Sequence, residues 1–403
     1  MRKLSLVMIV LCLALLVIGV PAGAQEDTHP LADMLALVPR EAASIDGGMI
    51  SYVDYAAIFS QRDGTYPENA AEYAEILADE RGSHLFFANS FRLMSGLSSW
   101  VQYLNIGAPE SLQLHGFEWF DIERALTFGA PPAVGNIVAG DFNPLLIRLA
   151  FAARDYTSEV IGDVEVLCWE EGCDQGQRVD VRGRHPGVIF GGDLGRREPV
   201  ALLPDMLLNS ASFETLSAML DVQAGESASL MDSPEFQSLV AALTSGDWQV
   251  LQVNFVTYDD VMQASIPETI DVQPGDLGKL LPYGAAALAD LQDGDDQISL
   301  VALAYGGEAT AEAAAQEVAN RLAGFDPSRW FEDFNVTVEE PRVFVDEETG
   351  MAVAIAALRY PLPSNEPDEN GRLISSGMVY RTWINAIYRR QFYPIAGEIV
   401  SFP

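Results

Sequence analysis

Apolar residues recur along the chain with two different periods, which predicts a mixture of helices and strands. A spacing of three to four residues indicates amphipathic helices, whereas short apolar runs bounded by turn residues indicate buried strands. Helices are predicted at 67–104, 120–126, 145–156, 212–220, 233–243, 282–291, 308–323 and 377–395. Strands are predicted at 49–53, 134–139, 158–169, 187–190, 248–257, 297–305, 335–345 and 351–360.

Local signals support several of these boundaries. Asn143 is a predicted N-cap with Pro144 at the first helical position, and Ser233 and Pro234 repeat this entry into a helix. The acidic segment 346–350 ends in glycine between two apolar runs, which predicts a hairpin.

The order of these elements predicts an α+β fold, in which antiparallel or mixed sheets are flanked by helices. A strand, a Gly140-Asp141-Phe142 turn and a helix recur later as a strand, a Gly306-Gly307-Glu308 turn and a helix. Two interpretations stay open: two related βαββ-type halves, and ordinary α+β architecture. The predicted organisation is a flexible leader at 25–30, a first domain at 31–245, and a second domain with the C-terminal helix at 246–403.

The N-terminus has the pattern of a secretory signal peptide at 1–24. Arg2 and Lys3 precede an almost entirely apolar run at 4–20, and Ala22 and Ala24 form a small-residue cleavage site. A retained membrane anchor is the alternative, although the run is short against the roughly 20 residues that span a bilayer. Cleavage after Ala24 predicts a secreted, periplasmic or cell-surface protein without an integral membrane segment.

The charge balance is strongly acidic. Asp and Glu number 58 against 23 Lys and Arg, and removal of Arg2 and Lys3 takes the formal net charge from −35 to −37. So negative a field repels nucleic acid and anionic lipid, and therefore argues against both as partners.

Two cysteines remain after cleavage, because Cys12 leaves with the signal. Cys168 and Cys173 enclose a short loop, and an oxidising compartment favours a disulfide between them. A redox-active pair and a metal site are the alternatives. The first usually has two intervening residues, and zinc needs two further ligands from a chain with only four scattered histidines.

A glycine-rich segment at 187–197 is the candidate anion-binding loop. Glycines let backbone amides converge on an anion, and arginines add charge-assisted contacts. The alternative is a turn that needs glycine for its backbone angles, since neither a Walker A lysine nor dinucleotide-binding spacing is present. The candidate residues are Gly191, Gly192, Gly195, Arg196 and Arg197.

Acid-rich turns are the second candidate, because calcium prefers carboxylate oxygens. Their spacing does not fit an EF-hand loop, and on so acidic a chain such turns are mostly solvated surface. We therefore predict no resident metal or cofactor, with calcium at an acidic turn as the alternative. The acids concerned are Asp290, Asp293, Asp295, Asp296, Asp346, Glu347, Glu348, Asp368 and Glu369.

The C-terminal segment combines aromatic and basic residues, which indicates a helix packed on the body of the protein or a surface for a protein partner. The aromatic stripe and its neighbours are Tyr380, Arg381, Trp383, Ile387, Tyr388, Arg389, Arg390 and Phe392.

No catalytic motif is present. A Gly-x-Ser-x-Gly elbow is missing, and His84 and His115 have no recognisable partner nearby in the sequence. The sequence therefore predicts a non-catalytic exported protein that binds a ligand or a protein or serves the cell envelope. The alternative is a secreted hydrolase whose active site gathers distant residues.

Overall fold

The structure is a computed structural model that describes residues 28–44, 49–95, 97, 110–169, 173–185, 187–266, 277–325, 335–366 and 375–400. The predicted signal segment at 1–24, with Ala22 and Ala24, lies outside these residues.

Ten α-helices lie in the described part of the chain. They are α1 (Pro30–Leu35), α2 (Tyr55–Phe59), α3 (Ala70–Ala78), α4 (Glu80–Ser90), α5 (Ser111–His115), α6 (Pro144–Ala152), α7 (Phe213–Gln223), α8 (Pro234–Thr244), α9 (Glu308–Gly324) and α10 (Met378–Tyr388). Asn143 caps α6 through its side chain, with Pro144 at the first helical position, as predicted.

Fifteen strands lie in the same residues. They are β1 (Ile50–Asp54), β2 (Ile122–Phe128), β3 (Gly135–Gly140), β4 (Tyr156–Ile161), β5 (Val164–Trp169), β6 (Val200–Leu202), β7 (Met206–Ser210), β8 (Gln249–Thr257), β9 (Gln263–Ser265), β10 (Ala285–Asp293), β11 (Asp296–Tyr305), β12 (Thr337–Val338), β13 (Arg342–Val345), β14 (Ala352–Pro361) and β15 (Glu398–Val400).

Thirteen of these strands form one antiparallel sheet in the order β12-β14-β11-β10-β8-β1-β2-β3-β7-β6-β5-β4, with β13 also paired to β14. Strands β9 and β15 form a small parallel pair of their own. The large sheet and the helices that cover it confirm the predicted α+β class.

The sheet has a similar order of elements on either side of its central pair, β1 and β8. One side runs β1-β2-β3-β7 and the other runs β8-β10-β11-β14. Helix α6 follows β3, and helix α9 follows β11. In each half the chain then returns to pair with the strand that preceded its helix. This is the order that the recurring turns indicated, and an origin by duplication stays a prediction.

Both faces of the sheet are buried along strands such as β8, β10, β11 and β14, whereas the edge strands β4 and β12 are partly or wholly exposed. Side chains alternate along each strand, so that Val353 and Ile355 of β14 join one core cluster while Ala354 and Ala356 join another. Helices α1, α7 and α8 cover the first face. On the opposite face, α2, α3, α4 and α6 cover the half around β2 and β3, and α9 and α10 cover the half around β10 and β11.

The predicted domain boundary at 245/246 falls between strands of this one sheet. Ser51 of β1 pairs with Asn254 of β8, and Leu239 of α8 shares a core cluster with Leu300 of β11. The two predicted segments therefore contribute to a common sheet and core.

Several element predictions are wrong. Residues 120–126 lie mostly in strand β2, and 282–291 lie mostly in strand β10, although both were predicted as helices. Strand β10 is buried on both faces, and its continuous apolar run does not distinguish a strand from a helix. The predicted strand at 187–190 is a turn, and the predicted strand at 158–169 is the hairpin β4–β5. The segment predicted to be helical at 67–104 contains α3 and α4, which are divided at Asp79, the N-cap of α4, and residues 96 and 98–104 lie outside the described residues.

Candidate functional site

A cavity of about 220 Å³ lies beside the glycine-rich loop that precedes β6. Its apolar walls are Leu97, Pro131, Pro132, Val134, Ile189, Phe190, Leu194 and Ala211. Its remaining lining residues are Asn136, Gly191, Arg196 and Glu198. Apolar walls with a few polar groups are the usual composition of a small-molecule site.

The cavity extends from the surface into the protein. Pro131 and Pro132 are exposed, whereas Phe190, Ala211 and Glu198 are buried. A ligand at this site would therefore enter past the prolines and place its inner end near the Glu198 carboxylate.

The glycines give the loop its shape. Gly191 and Gly195 both have positive φ angles, of 70° and 65°, which side chains rarely allow. A Cβ atom at Gly191 would lie 2.6 Å from Oε1 of Glu198, and one at Gly195 would collide with the carbonyl oxygen of Asp180. The loop therefore requires glycine at both positions for its backbone, which was the alternative to anion binding.

Arg196 and Glu198 form the polar patch of the cavity. Their closest charged atoms, Nη1 and Oε1, are 3.9 Å apart, which is longer than a charge-assisted hydrogen bond of about 2.7–2.9 Å. Nε of Arg196 is buried and has no hydrogen-bond partner among the described residues. The two charged groups therefore both line the cavity without a hydrogen bond between Nη1 and Oε1.

Arg197 points away from the cavity. Its guanidinium lies 4.4 Å from the centre of the Trp169 ring, and its Nη1 donates to the carbonyl oxygen of Arg154 at 3.0 Å. Arg196 and Glu198, two positions apart, therefore both line the cavity, whereas Arg197 between them does not.

Only part of the predicted anion loop meets at one place. Gly191 and Arg196 line the cavity, whereas Gly192, Gly195 and Arg197 do not. Glu198, which the sequence reasoning missed, adds a negative charge that opposes an anion. Its separation of two residues from Arg196 in an extended run was the signal available. Asn136 comes from β3 and had no local signal.

His115 helps to hold the glycine-rich loop in place. Its Nε2 accepts a hydrogen bond of 3.1 Å from the backbone amide of Ile189, a cavity residue. Burial and, secondarily, the charge of Arg154 lower the pKa of His115 to about 3. The imidazole is therefore neutral over the physiological range and holds the loop as an acceptor. His84, in contrast, is exposed on α4.

The predicted disulfide between Cys168 and Cys173 is confirmed. It joins the end of β5 to the chain that leads into the glycine loop. Glu159 lies close to both sulfur atoms, within 4.8 Å. A metal site would need thiolates, which these bonded cysteines do not supply.

Several carboxylates of the acid-rich turns accept hydrogen bonds from other groups of the protein. Asp293 and Asp296 accept hydrogen bonds from Arg359 at 2.8 and 3.1 Å. Asp346 accepts from the backbone amide of Glu348 and from side chains of the same hairpin and of α8. Asp368 and Glu369 lie outside the described residues. Calcium at these turns stays an untested alternative.

Asp290 belongs to a second arginine–carboxylate pair, on the face of the sheet between α4 and α10. Nε and Nη2 of Arg92 each donate to this carboxylate at 2.7 Å, and both side chains are fully buried. Nη1 of Arg92 donates to Gln292, and Gln252 donates to Asp290 at 2.8 Å. Hydrogen bonds within the protein therefore satisfy the charges of this pair.

The aromatic residues of the C-terminal segment mostly lie inside the protein. Tyr380, Trp383 and Phe392 are buried in the core beneath α10, while Tyr388 is exposed. Arg381 donates to the carbonyl oxygen of Phe91 at 2.9 Å. Most of the stripe is therefore occupied by internal contacts, and a protein partner at this segment stays a prediction.

Among the described residues, no helix combines the length and the apolar character needed to cross a membrane.

The sequence matches no family model and no curated protein. Solved structures to which the chain is similar include crystal form I of TP0453, at 9% identity and a TM-score of 0.34. That match covers 79% of this chain and 92% of the other. Crystal form III of the same protein matches at 9% identity and a TM-score of 0.29, with 79% and 93% covered.

Proposed function

We propose that this chain is an exported, non-catalytic protein that binds a small ligand in the cavity beside Arg196. The observation that carries the proposal is the guanidinium of Arg196, a lining residue of the cavity whose Nη1 lies 3.9 Å from Oε1 of Glu198, beyond hydrogen-bond length. A hydrogen bond to a charged group contributes about 1.5–3 kcal/mol, and a ligand acceptor at the Nη groups would form such a bond.

The size of the cavity supports a small ligand. A dry cavity of about 150 Å³ holds benzene in another protein, and drug-sized ligands occupy roughly 300 Å³ or more. At about 220 Å³, this cavity has room for one apolar group the size of a ring together with a polar head.

The lining supports binding over catalysis. The hydrolase alternative calls for a histidine or an unpaired carboxylate in a cleft. His115 is fully buried behind the loop with its Nε2 occupied, and His84 does not line the cavity. The cavity's polar residues, an arginine, a glutamate and an asparagine, recognise charge and hydrogen bonds.

Export rests on the N-terminal pattern of charge, apolar run and small-residue site, and the disulfide is consistent with an oxidising compartment. We therefore propose a location outside the cytoplasm, as a secreted or envelope protein.

Titration calorimetry with benzamide tests the proposal. Its ring suits the apolar walls, and its carbonyl oxygen can accept a hydrogen bond from the guanidinium of Arg196. We expect saturable binding with one site per chain. Val134→Trp, which fills the cavity, should abolish it. Val160→Trp is the matched control, because Val160 is 72% exposed on strand β4.

Saturable binding that Val134→Trp leaves unchanged would place benzamide elsewhere and contradict the proposal. Absence of binding to the folded wild-type protein would contradict it as well. Melting temperatures of both variants establish that they are folded.

A further inference from the structure

The polar end of the cavity carries one positive and one negative group, which restricts the charge of its ligand. Arg196 and Glu198 lie on the same side of the chain and both line the cavity. A ligand with a net negative charge would meet the Glu198 carboxylate, and one with a net positive charge would meet the Arg196 guanidinium. The pair is neutral as a whole, so a ligand with a net charge of either sign would bring an uncompensated charge into the cavity, which is unfavourable.

The spacing of the pair leaves hydrogen-bonding capacity on Arg196. The 3.9 Å separation of Nη1 and Oε1 is too long for a hydrogen bond, whereas Arg92 and Asp290 close to 2.7 Å. The Nη groups of Arg196 can therefore donate to a carboxylate oxygen of a ligand. Glu198 has other contacts, but a carboxylate has lone pairs for several donors and can also accept from an ammonium group.

From this geometry we infer that the ligand is a zwitterion, a free amino acid with an apolar side chain. The inference rests on the proposed ligand-binding function and names its substrate class. The carboxylate pairs with Arg196, the ammonium group pairs with Glu198, and the side chain occupies the apolar walls near Phe190 and Val134. An α-amino acid supplies both charges on neighbouring atoms, which suits a cavity with room for one ring-sized group and a small head.

A matched set of four compounds tests the charge requirement by titration calorimetry at pH 7. L-Phenylalanine carries both groups, 3-phenylpropanoate lacks the ammonium group, 2-phenylethylamine lacks the carboxylate, and 3-phenylpropanamide is neutral. We expect L-phenylalanine or L-leucine to bind at least about tenfold more tightly than the three analogues, since a hydrogen bond to a charged group typically contributes that factor.

Two substitutions distinguish a role in recognising the charge of the ligand from a role in maintaining the fold of the site. Arg196→Gln should weaken L-phenylalanine at least about tenfold and strengthen 2-phenylethylamine, because the repelling cation is gone. Glu198→Gln should weaken L-phenylalanine and strengthen 3-phenylpropanoate. A purely structural role would weaken all compounds alike. Arg197→Gln is the matched control, because Arg197 points to Trp169 and should leave every affinity unchanged. If Glu198→Gln does not fold, the Arg196 and Arg197 variants decide alone.

The outcomes distinguish this inference from the proposed function. If 3-phenylpropanamide or benzamide binds in the cavity as tightly as both amino acids, or if neither amino acid binds, the zwitterion inference is overturned and the binding function stands. If no compound binds, including benzamide, both fall.

Discussion

Two arginine–carboxylate pairs of this protein illustrate different uses of the same chemistry. Arg92 and Asp290 meet in a bidentate pair at 2.7 Å, fully buried, with glutamine side chains adding further hydrogen bonds. Arg196 and Glu198 stand 3.9 Å apart beside a cavity, with one arginine donor unpaired among the described residues. The first pair is complete in itself and fixes packing. The second is longer than a hydrogen bond, and we propose that a ligand binds beside it.

The largest expected effect on stability comes from breaking the ion pair between Arg92 and Asp290. Asp290→Ala removes the partner of a fully buried guanidinium, and breaking a buried pair typically costs about 3–5 kcal/mol. We expect the free energy of unfolding, measured in urea, to fall by that amount. The double variant Arg92→Met, Asp290→Leu should be more stable than Asp290→Ala. A loss below about 1 kcal/mol would show that the pair is not a structural anchor.

Acid should destabilise the cavity side of the molecule through His115. Its pKa is about 3 in the folded protein against 6.5 in the unfolded chain, mainly because of burial. The stability that it contributes is complete above pH 6.5 and is lost progressively as the pH falls to about 3, by a few kcal/mol in all.

His115→Gln should remove this share of the acid dependence, so that the variant loses less stability than wild type between pH 6.5 and pH 4. The measurement is urea unfolding at several pH values. His84→Gln is the control, because His84 is exposed on α4. Parallel pH profiles for wild type and His115→Gln would contradict the burial of a neutral imidazole.

The disulfide that leads into the glycine loop should have a smaller effect. Replacing both Cys168 and Cys173 by Ser removes the closure of a six-residue loop, which contributes about 2 kcal/mol in the chain-entropy treatment. Thermal unfolding of the double variant, compared with wild type under non-reducing conditions, measures this. An unchanged melting temperature would assign the bond no stabilising role.

The smallest change in stability should come from substitution in the pair of Arg196 and Glu198. Arg196→Gln removes a charge whose hydrogen bonds are incomplete, so we expect the free energy of unfolding to change by no more than about 1 kcal/mol while binding is lost. A destabilisation as large as that of Asp290→Ala would remove the distinction between the two pairs.

Spacing and turn signals together predicted many of the elements, whereas an apolar run by itself was not sufficient. Helix α9 and strand β14 followed from spacing and turn signals. Strand β10 was predicted as a helix, because an apolar run buried on both faces has no period to read. The disulfide followed from spacing and the inferred compartment.

The candidate site was predicted only where its residues are neighbours in sequence. Gly191 and Arg196 came from one loop, but the cavity also needs Asn136 from β3 and Ala211 after β7, which sheet pairing brings together. Arg197 was predicted to act together with Arg196, but its guanidinium lies over Trp169 instead of lining the cavity. Contacts between distant segments left no local pattern in the chain.

The most direct test of the account follows the arginine Nε–H signals by ¹⁵N NMR while benzamide is added. The signals are assigned by their loss in Arg196→Gln and by the double variant that lacks Arg92. We predict that the Arg196 signal shifts in a saturable manner and that the Arg92 signal stays in place. If the Arg196 signal does not shift at saturating benzamide, or if the Arg92 signal shifts equally, the claim that the ligand binds beside Arg196 and Glu198 is contradicted.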